Sequence, residues 1–446
     1  MLMSKISASD ILESAKKEQV DYVKLQFTDI LGALKNVEIP VEQLEEALEG
    51  QTMFDGSSVE GFVRVEESDM FLKPDFDTWA VFPWLEEEFK VARLICDVHD
   101  FNNQPFEGDP RSNLKRIVSE MKDMGYDQFN LGAEPEFYLF KLDENGEPTN
   151  AVNDTSGYFD VSISDTSEAC RRKIARTLKE IGFEVEMFHH EVGPSQHEIS
   201  FKYSDAVTAS DNIQTFKYIA KTVAHQYGLH VTFMPKPLYN EPGSGMHYNV
   251  SLFKDDNNIF FDKNDEFGLS EEMRYFMAGL LDHARGYTAI CNPLVNSYKR
   301  LTSGFEAPRY IAWSGRNRTP LLRIPGTRGA GTRAEVRSLD PSANPYLATA
   351  VILKAGLSGI QKEKDLTTPV DENIYNMSHK ERKSEDIEDL PTTLYTAIKA
   401  LRADEVIQEA LGQHIFDHFV ENKLYEWQRY SAQVTSWEMT EYLTQY

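Results

Sequence analysis

An α+β fold in two parts is predicted by three features of the chain. These are a strand-rich first hundred residues, a run of turn formers near residue 105, and helical periods that alternate with strands beyond it. At 446 residues the chain exceeds one ordinary core, so two domains are expected, 1–104 and 105–446.

Ser7 or Ser9 can cap a helix running through Glu18, and Val23, Leu25 and Phe27 then alternate along a strand from Asp21 to Asp29. A turn at Leu31-Gly32 leads to a second strand ending at Pro40, and a short helix from Val41 to Leu48 closes at Gly50. Residues 51–69 read as loop, followed by strands at 79–82 and 91–98. The boundary lies in Asn102-Asn103-Gln104-Pro105-Phe106-Glu107-Gly108-Asp109-Pro110. Beyond it the periodicity predicts helices at 111–124, 167–181, 209–227, 270–290 and 344–361. Strands are predicted at 129–140, 183–192, 197–203, 229–235, 246–253, 320–324 and 332–338, and a helical tail with charged faces from Pro391.

The net charge is −26, which argues against non-specific nucleic-acid binding and against anionic membrane surfaces. Cys96, Cys170 and Cys291 form no CxxC, so neither a disulfide scaffold nor a zinc knuckle is indicated. Met1 to Asp10 lacks the apolar core of a signal peptide and no apolar run is long enough to span a bilayer, so the cytoplasm is expected.

Four stretches carry candidate chemistry. In Gly132-Ala133-Glu134-Pro135-Glu136-Phe137-Tyr138-Leu139-Phe140, strand alternation sets Glu134 and Glu136 on one face and Ala133, Phe137 and Leu139 on the other. Paired carboxylates beside a core repel, and a hard divalent cation would relieve them; a solvated strand face fits the same pattern. In Glu191-Val192-Gly193-Pro194-Ser195-Gln196-His197-Glu198 the Gly-Pro-Ser run suggests a hairpin. An even loop would oppose Glu191 and Glu198, and an odd one would not. Around Met246-His247-Tyr248-Asn249-Val250-Ser251, His247, Asn249 and Ser251 share the polar face. In Arg333-Ala334-Glu335-Val336-Arg337 the three charged residues share a face, with Arg300, Arg318 and Arg323 recurring nearby. In so acidic a chain these arginines suggest phosphate or carboxylate binding, or else structural ion pairs. There is no GxxxxGK[ST], and no GxGxxG opens a helix, so a nucleotide would be held by metals and arginines.

In this order the motifs Gly-Ala-Glu-Pro-Glu-Phe, His-His-Glu-Val, Gln-His-Glu, Gly-Ser-Gly-Met-His, Asn-Ser-Tyr-Lys-Arg-Leu and Arg-Ala-Glu-Val-Arg resemble glutamine synthetase. Met53-Phe54-Asp55-Gly56-Ser57-Ser58, Glu67-Ser68-Asp69-Met70 and Asp340-Pro341-Ser342-Ala343-Asn344-Pro345-Tyr346 extend the likeness over essentially the whole chain. The resemblance is to the bacterial type I enzyme, in its shorter, feedback-inhibited Gram-positive subtype. It implies a β-grasp-like N-terminal domain and a catalytic domain whose curved antiparallel sheet is flanked by helices. It further implies ligation of ammonia to glutamate with ATP, through γ-glutamyl phosphate.

The same resemblance implies that Glu136, Glu191 and Glu198 hold one Mg²⁺ or Mn²⁺ and that Glu134, His247 and Glu335 hold a second. Arg300 and Gly243 would bind glutamate, Arg318 and Arg337 the phosphoryl or glutamyl group, and Tyr203, Ser251, Arg323 and Arg333 ATP. Asp55 would be the base toward ammonium, with Asp69 and Tyr158 close by, Glu306 the residue of a closing loop, and Arg64 a determinant of feedback inhibition by glutamine. A homo-oligomer of two hexameric rings, with active sites between subunits, is implied, and a nitrogen-responsive repressor is a plausible further partner. Pro242 and Thr302-Ser303 depart from the family pattern beside the glutamate and loop regions, and Tyr375 matches a position modified in the longer subtype. Competing readings are a sister ligase joining glutamate to a polyamine or other amine, and a non-catalytic regulatory relative.

Overall fold

A computed structural model describes residues 6–59, 61, 69–83, 89–161, 167–302 and 307–446. Ser7 caps the first helix, Ala8–Glu18, in a capping box with Asp10. The helix buries Ile11 against a five-stranded sheet. Across that sheet the order is Leu34–Pro40, Tyr22–Thr28, Val91–His99, Asp69–Val81, Met53–Asp55, with Tyr22–Thr28 parallel to Val91–His99 and the other neighbours antiparallel. Val23, Leu25, Leu72 and Leu94 are fully buried in its core, as alternation predicts.

Two N-terminal expectations need correction. Within the predicted loop 51–69, Met53–Asp55 is a strand paired with Asp69–Phe71, and Gly56–Ser58 is a helical turn. The strand predicted at 79–82 is the end of a longer one, Asp69–Val81. Pro74, Asp75 and Asp77 mask its alternation. The sheet accommodates them through a register shift between Asp75 and Ala80, and Arg111 neutralises Asp75 at 2.7 Å.

The second sheet runs Trp313–Ser314, Leu322–Arg323, Ala334–Val336, Met246–Lys254, Gln128–Leu142, Gln196–Phe201, Val185–His190. Every neighbour pair in that series is antiparallel except the first. Gln128–Leu142 organises it: 15 residues long, it spans roughly 50 Å at strand rise. It pairs with Met246–Lys254 up to Pro135 and with Gln196–Phe201 from Glu136 onward. One face carries Ala133, Phe137, Leu139, Tyr248 and Val250 into the main core, which it shares with residues of the helices Pro110–Asp123, Ala206–Gln226, Glu271–Asp282 and Pro345–Gln361. The other face is left free for chemistry.

The helix predicted over 270–290 is two, Glu271–Asp282 and Ala284–Cys291, broken at His283. Nδ1 of His283 lies 2.8 Å from an Asp404 carboxylate oxygen, tying the break to the C-terminal helices. The tail forms Leu394–Leu401, Glu405–Leu411, Gln413–Ser431 and Ser436–Tyr442. Leu394, Leu411 and Ile415 are fully buried, whereas the last helix buries nothing.

The two parts meet through polar contacts. Asn344 Nδ2 donates to the carbonyls of Asp29 and Ile30, and Gln214 Nε2 to Thr28 Oγ1 and the Gly32 carbonyl. Gly32, at φ +87°, lies so close that a Cβ would stand 3.1 Å from the Asn344 backbone. Among the described residues no helix is long and apolar enough to cross a membrane.

Candidate active site

The polar face of the second sheet assembles two groups of ligand-type side chains, two residues apart on Gln128–Leu142. In the first, Glu134 lies opposite His247 in the register. His247 Nδ1 is 3.5 Å from Glu134 and 3.6 Å from Glu335. Glu335, on the next strand, is buried, accepts a 2.7 Å bond from Arg323 Nη1 and lies 3.5 Å from Arg337 Nε. Asn249 donates to Glu134 at 2.9 Å while accepting from Arg333 Nε at 3.0 Å. Burial raises the Glu134 carboxyl, but the hydrogen bond and charge of His247, with Asn249 and Arg333, outweigh it and hold the group below its ordinary value.

In the second group Glu136 lies directly opposite Glu198. This like-charge pair is nearly buried, with Glu198 only 8% exposed. The hairpin register expected from the sequence is corrected. His189, not Glu191, faces Glu198, and His190 faces His197. The shift is two residues, so alternation is preserved and Glu191 keeps the same face, diagonal to Glu198. His189 lies 3.5 Å from Glu191 and 3.6 Å from Glu198. The sequence reading passed over His189, although its spacing of two from Glu191 was the available signal. Burial, with Glu198 next, pushes the Glu136 carboxyl up to about 8. Burial, with Glu136 and Glu198, does the same to Glu191, again to about 8. Three carboxylates crowd one another, Arg300, Arg337 and His189 offset their charge only in part, and a divalent metal ion would relieve the remainder.

Behind this group Asp154, His190 and His197 are buried together. Asp154 and His190 bind each other, and Nδ1 of His197 faces Arg171. His190 contacts Asp154 at 2.7 Å and the Glu191 carbonyl at 2.7 Å, and Arg171 Nη1 lies 2.6 Å from His197 Nδ1. A guanidinium supplies the positive charge here, so the network braces the Glu191 loop.

A cavity of about 250 Å³ lies between the groups, lined by Glu136, Glu191, Gly243, His247, Arg300 and Arg337. Arg300 is buried and anchored by a 2.7 Å bond from Nη1 to the Ser338 carbonyl. Gln196, another residue the sequence reading missed, donates to Glu136 and to the Gly243 carbonyl, both at 3.1 Å. The backbone N–H of Gly245 also donates to Glu136, at 3.0 Å. A Cβ on Gly245 would stand 2.5 Å from Arg300 Nη2 and 3.0 Å from His247 Nε2. Gly245→Ala is therefore expected to raise KM for the ligand of this cavity by at least tenfold; an unchanged KM would show that Arg300 has room to yield.

A second cavity, about 370 Å³, is lined by Glu134, Tyr203, Asn249, Ser251, Thr332 and Arg333. Tyr203, Ser251 and Arg333, three of the four residues that the resemblance implies for ATP, thus line one cavity, while the fourth, Arg323, is bound to Glu335 and does not line it. Arg318 offers its carbonyl to Arg337 at 2.6 Å. Its side chain interacts with Tyr158, whose phenol is raised by burial and by Glu191.

Asp55 is placed apart from both groups. It is exposed on the N-terminal sheet, opposite Asp69 in the register. The hydroxyl and N–H of Ser57 bind its carboxylate and hold it below the ordinary value. Glu306, Ser303 and Arg64 lie outside the described residues. Pro242 offers its carbonyl to the Tyr138 hydroxyl at 2.6 Å, and the Tyr375 hydroxyl donates to the Ala307 carbonyl.

Known proteins share this sequence and fold. Residues 19–101 match the glutamine synthetase β-grasp domain, and residues 107–442 the glutamine synthetase catalytic domain. The chain is 60% identical to a glutamine synthetase of Staphylococcus aureus over 437 residues, covering 98% of each. It is 58% identical, at the same coverage, to one from Staphylococcus epidermidis. Among solved structures it resembles a GmaS/ADP complex with a TM-score of 0.89 at 32% identity, covering 98% of this chain and 99% of that one. It also resembles a cryo-EM structure of Plasmodium falciparum glutamine synthetase, with a TM-score of 0.86 at 28% identity over 99% and 100% of the two chains.

Proposed function

The chain belongs to the glutamine synthetase family and catalyses ATP-dependent synthesis of glutamine from glutamate and ammonia, and from that premise we propose how its residues divide the work. Glu134, His247 and Glu335 hold one divalent ion, and Glu136, Glu191 and Glu198 another. The carrying observation is the buried opposition of Glu136 and Glu198, a costly arrangement without a cation. An oxygen-rich set with a single imidazole in the first group suits Mg²⁺ or Mn²⁺. When bound, the ions supply positive charge that lets a carboxylate approach a phosphoryl group.

Arg300 and the Gly243 backbone orient glutamate in the 250 Å³ cavity, with its side chain toward the Glu136 group. Tyr203 and Ser251 flank adenosine in the neighbouring cavity, and Arg323 and Arg333 hold its phosphates. The likeness to an ADP-bound chain supports a nucleotide there. Arg318 and Arg337 stabilise the charge that develops as the γ-phosphoryl passes to glutamate, giving γ-glutamyl phosphate. Ammonia then displaces phosphate. Glu306 closes the site against water, and Arg64 mediates feedback by glutamine.

Asp55 accepts the proton of ammonium. Its exposed position, bound to its own Ser57, supports action in the active site of a neighbouring subunit. A homo-oligomer is therefore part of the proposal, specifically a dodecamer of two stacked hexameric rings. The uncovered Trp437, Leu443 and Tyr446 on the tail, 60%, 66% and 98% exposed, supply apolar surface for such contacts. The enzyme works in the cytoplasm, and a nitrogen-responsive repressor is its further partner in this proposal.

ADP release with glutamate and ATP tests the acceptor: ammonium should support turnover, and putrescine or ethanolamine should not. Comparable turnover with the amines would favour the sister ligase. Asp55→Ala should retain metal binding and lose roughly 10²- to 10⁴-fold in ammonium-dependent turnover, the usual worth of a positioned base. Full turnover in that variant removes Asp55 from the mechanism.

A further inference from the structure

A cavity of about 690 Å³, larger than either cavity of the active site, opens between the N-terminal sheet and the catalytic domain. The bulged Asp75–Ala80 segment and Arg93 form one wall, and Ile181–Glu184 with Phe201–Thr208 the other. Most of its charges are paired within the protein. Arg111 is held by Asp75 and Asp97, each at 2.7 Å, and by Asp211 at 2.8 Å. Lys115 binds Asp97 at 2.6 Å and Lys202 binds Glu184 at 2.8 Å. Asp205 caps its helix through the N–H groups of Val207 and Thr208, and Asp77 accepts from the N–H of Ile6.

Arg93 is the exception. It is 6% exposed, and among the described residues its Nε and Nη1 have no hydrogen-bond partner. The carboxylate whose charge acts on it most is Asp211. That group already accepts from Arg111 Nε at 2.9 Å, Arg111 Nη2 at 2.8 Å and the Tyr346 hydroxyl at 2.7 Å. Asp211 is thus committed to Arg111 and Tyr346, it takes no hydrogen bond from Arg93 Nε or Nη1, and Arg93 is left as a buried guanidinium lining a cavity. Such a group is costly unless an anion completes it, and its planar fork suits carboxylate or phosphate oxygens.

We infer that this cleft is an effector site for a small organic anion, a carboxylate or a phosphate ester, whose charged group binds Arg93. Trp79 and Phe183 provide apolar wall for the rest of the ligand. Phe201 and Tyr203 line both this cleft and the 370 Å³ nucleotide cavity. Occupancy therefore bears directly on the residue proposed to flank adenosine.

The test uses the full-length, Mg²⁺-loaded enzyme with succinate, inorganic phosphate and neutral succinamide as probes. Succinate should raise the melting temperature saturably and shift KM for ATP at least twofold, and succinamide should do neither. The phosphate arm separates a phosphate ligand from a carboxylate one. Arg93→Met should abolish both responses while kcat without the anion stays within twofold. Thr208→Glu serves as a second variant. It places a carboxylate at the rim on the third residue of a helix, where acidic groups are favourable, and should also abolish the responses. Responses that persist in either folded variant, or a wild-type enzyme indifferent to both anions, would overturn the assignment.

Discussion

In the Glu198→Gln variant, ammonium-dependent turnover is expected to fall by roughly 10³-fold, while the metal-free protein should melt at a higher temperature than the parent. The two effects share one cause. Glu198 is flanked by Glu136 on one strand and His189 on the other. Its charge helps to raise the Glu136 and Glu191 carboxyls. The amide keeps the shape and removes the repulsion, which above about pH 8, where Glu136 and Glu191 are ionised, should add about 1 kcal/mol of stability, the usual gain when a functional strain is relieved. At about 2.1 cal/mol/K of unfolding entropy per residue over 446 residues, that is about 1 °C. A donor lost from a divalent ion costs transition-state stabilisation of about 4 kcal/mol, near three powers of ten in rate. A lower melting temperature together with undiminished turnover would dissolve the link between repulsion and metal binding.

The second large effect is a reversal of pH dependence on adding metal. Glu136 and Glu191, with ordinary values of 4.5, are both pushed up to about 8 in the metal-free fold, chiefly by burial and then by neighbouring carboxylates. A raised carboxyl value means that the folded state holds a proton which the unfolded chain has released. The associated stability is complete below the ordinary value and is lost as pH climbs toward 8. Each such group lowers stability by about 1.4 kcal/mol per pH unit inside that window. EDTA-treated enzyme should therefore melt progressively lower from pH 5.5 to 8. With excess Mg²⁺ the ligands are deprotonated, so binding releases protons and strengthens as pH rises. Melting curves in Mg²⁺ should then hold level or rise over the same range. Calorimetry at pH 7 in buffers of different ionisation enthalpy should register proton release. Parallel pH profiles with and without metal would mean that these carboxylates are not where the ion binds.

The sequence by itself determined which face each residue occupies. The alternation of Ala133, Phe137 and Leu139 against Glu134 and Glu136, and of Tyr248 and Val250 against His247 and Asn249, is a local property of the extended backbone, and the burial follows it. Helix positions with strong caps and glycine stops, such as Pro110–Asp123 before Gly125 and Ala206–Gln226 before Gly228, were legible for the same reason. The assignment of residues to metal, glutamate and ATP rested on resemblance rather than periodicity.

Only the tertiary structure decided which charges oppose one another. The pairing of Glu136 with Glu198, 62 positions apart, and the displacement of Glu191 by His189 in the hairpin are matters of register. Register is fixed by the packing of whole faces against the helices, which no single segment encodes. The same holds for Arg93. Its sequence neighbours mark an ordinary buried strand, and only the fold shows that the nearby Asp211 bonds Arg111 and Tyr346, from distant helices, while Arg93 Nε and Nη1 go unbonded.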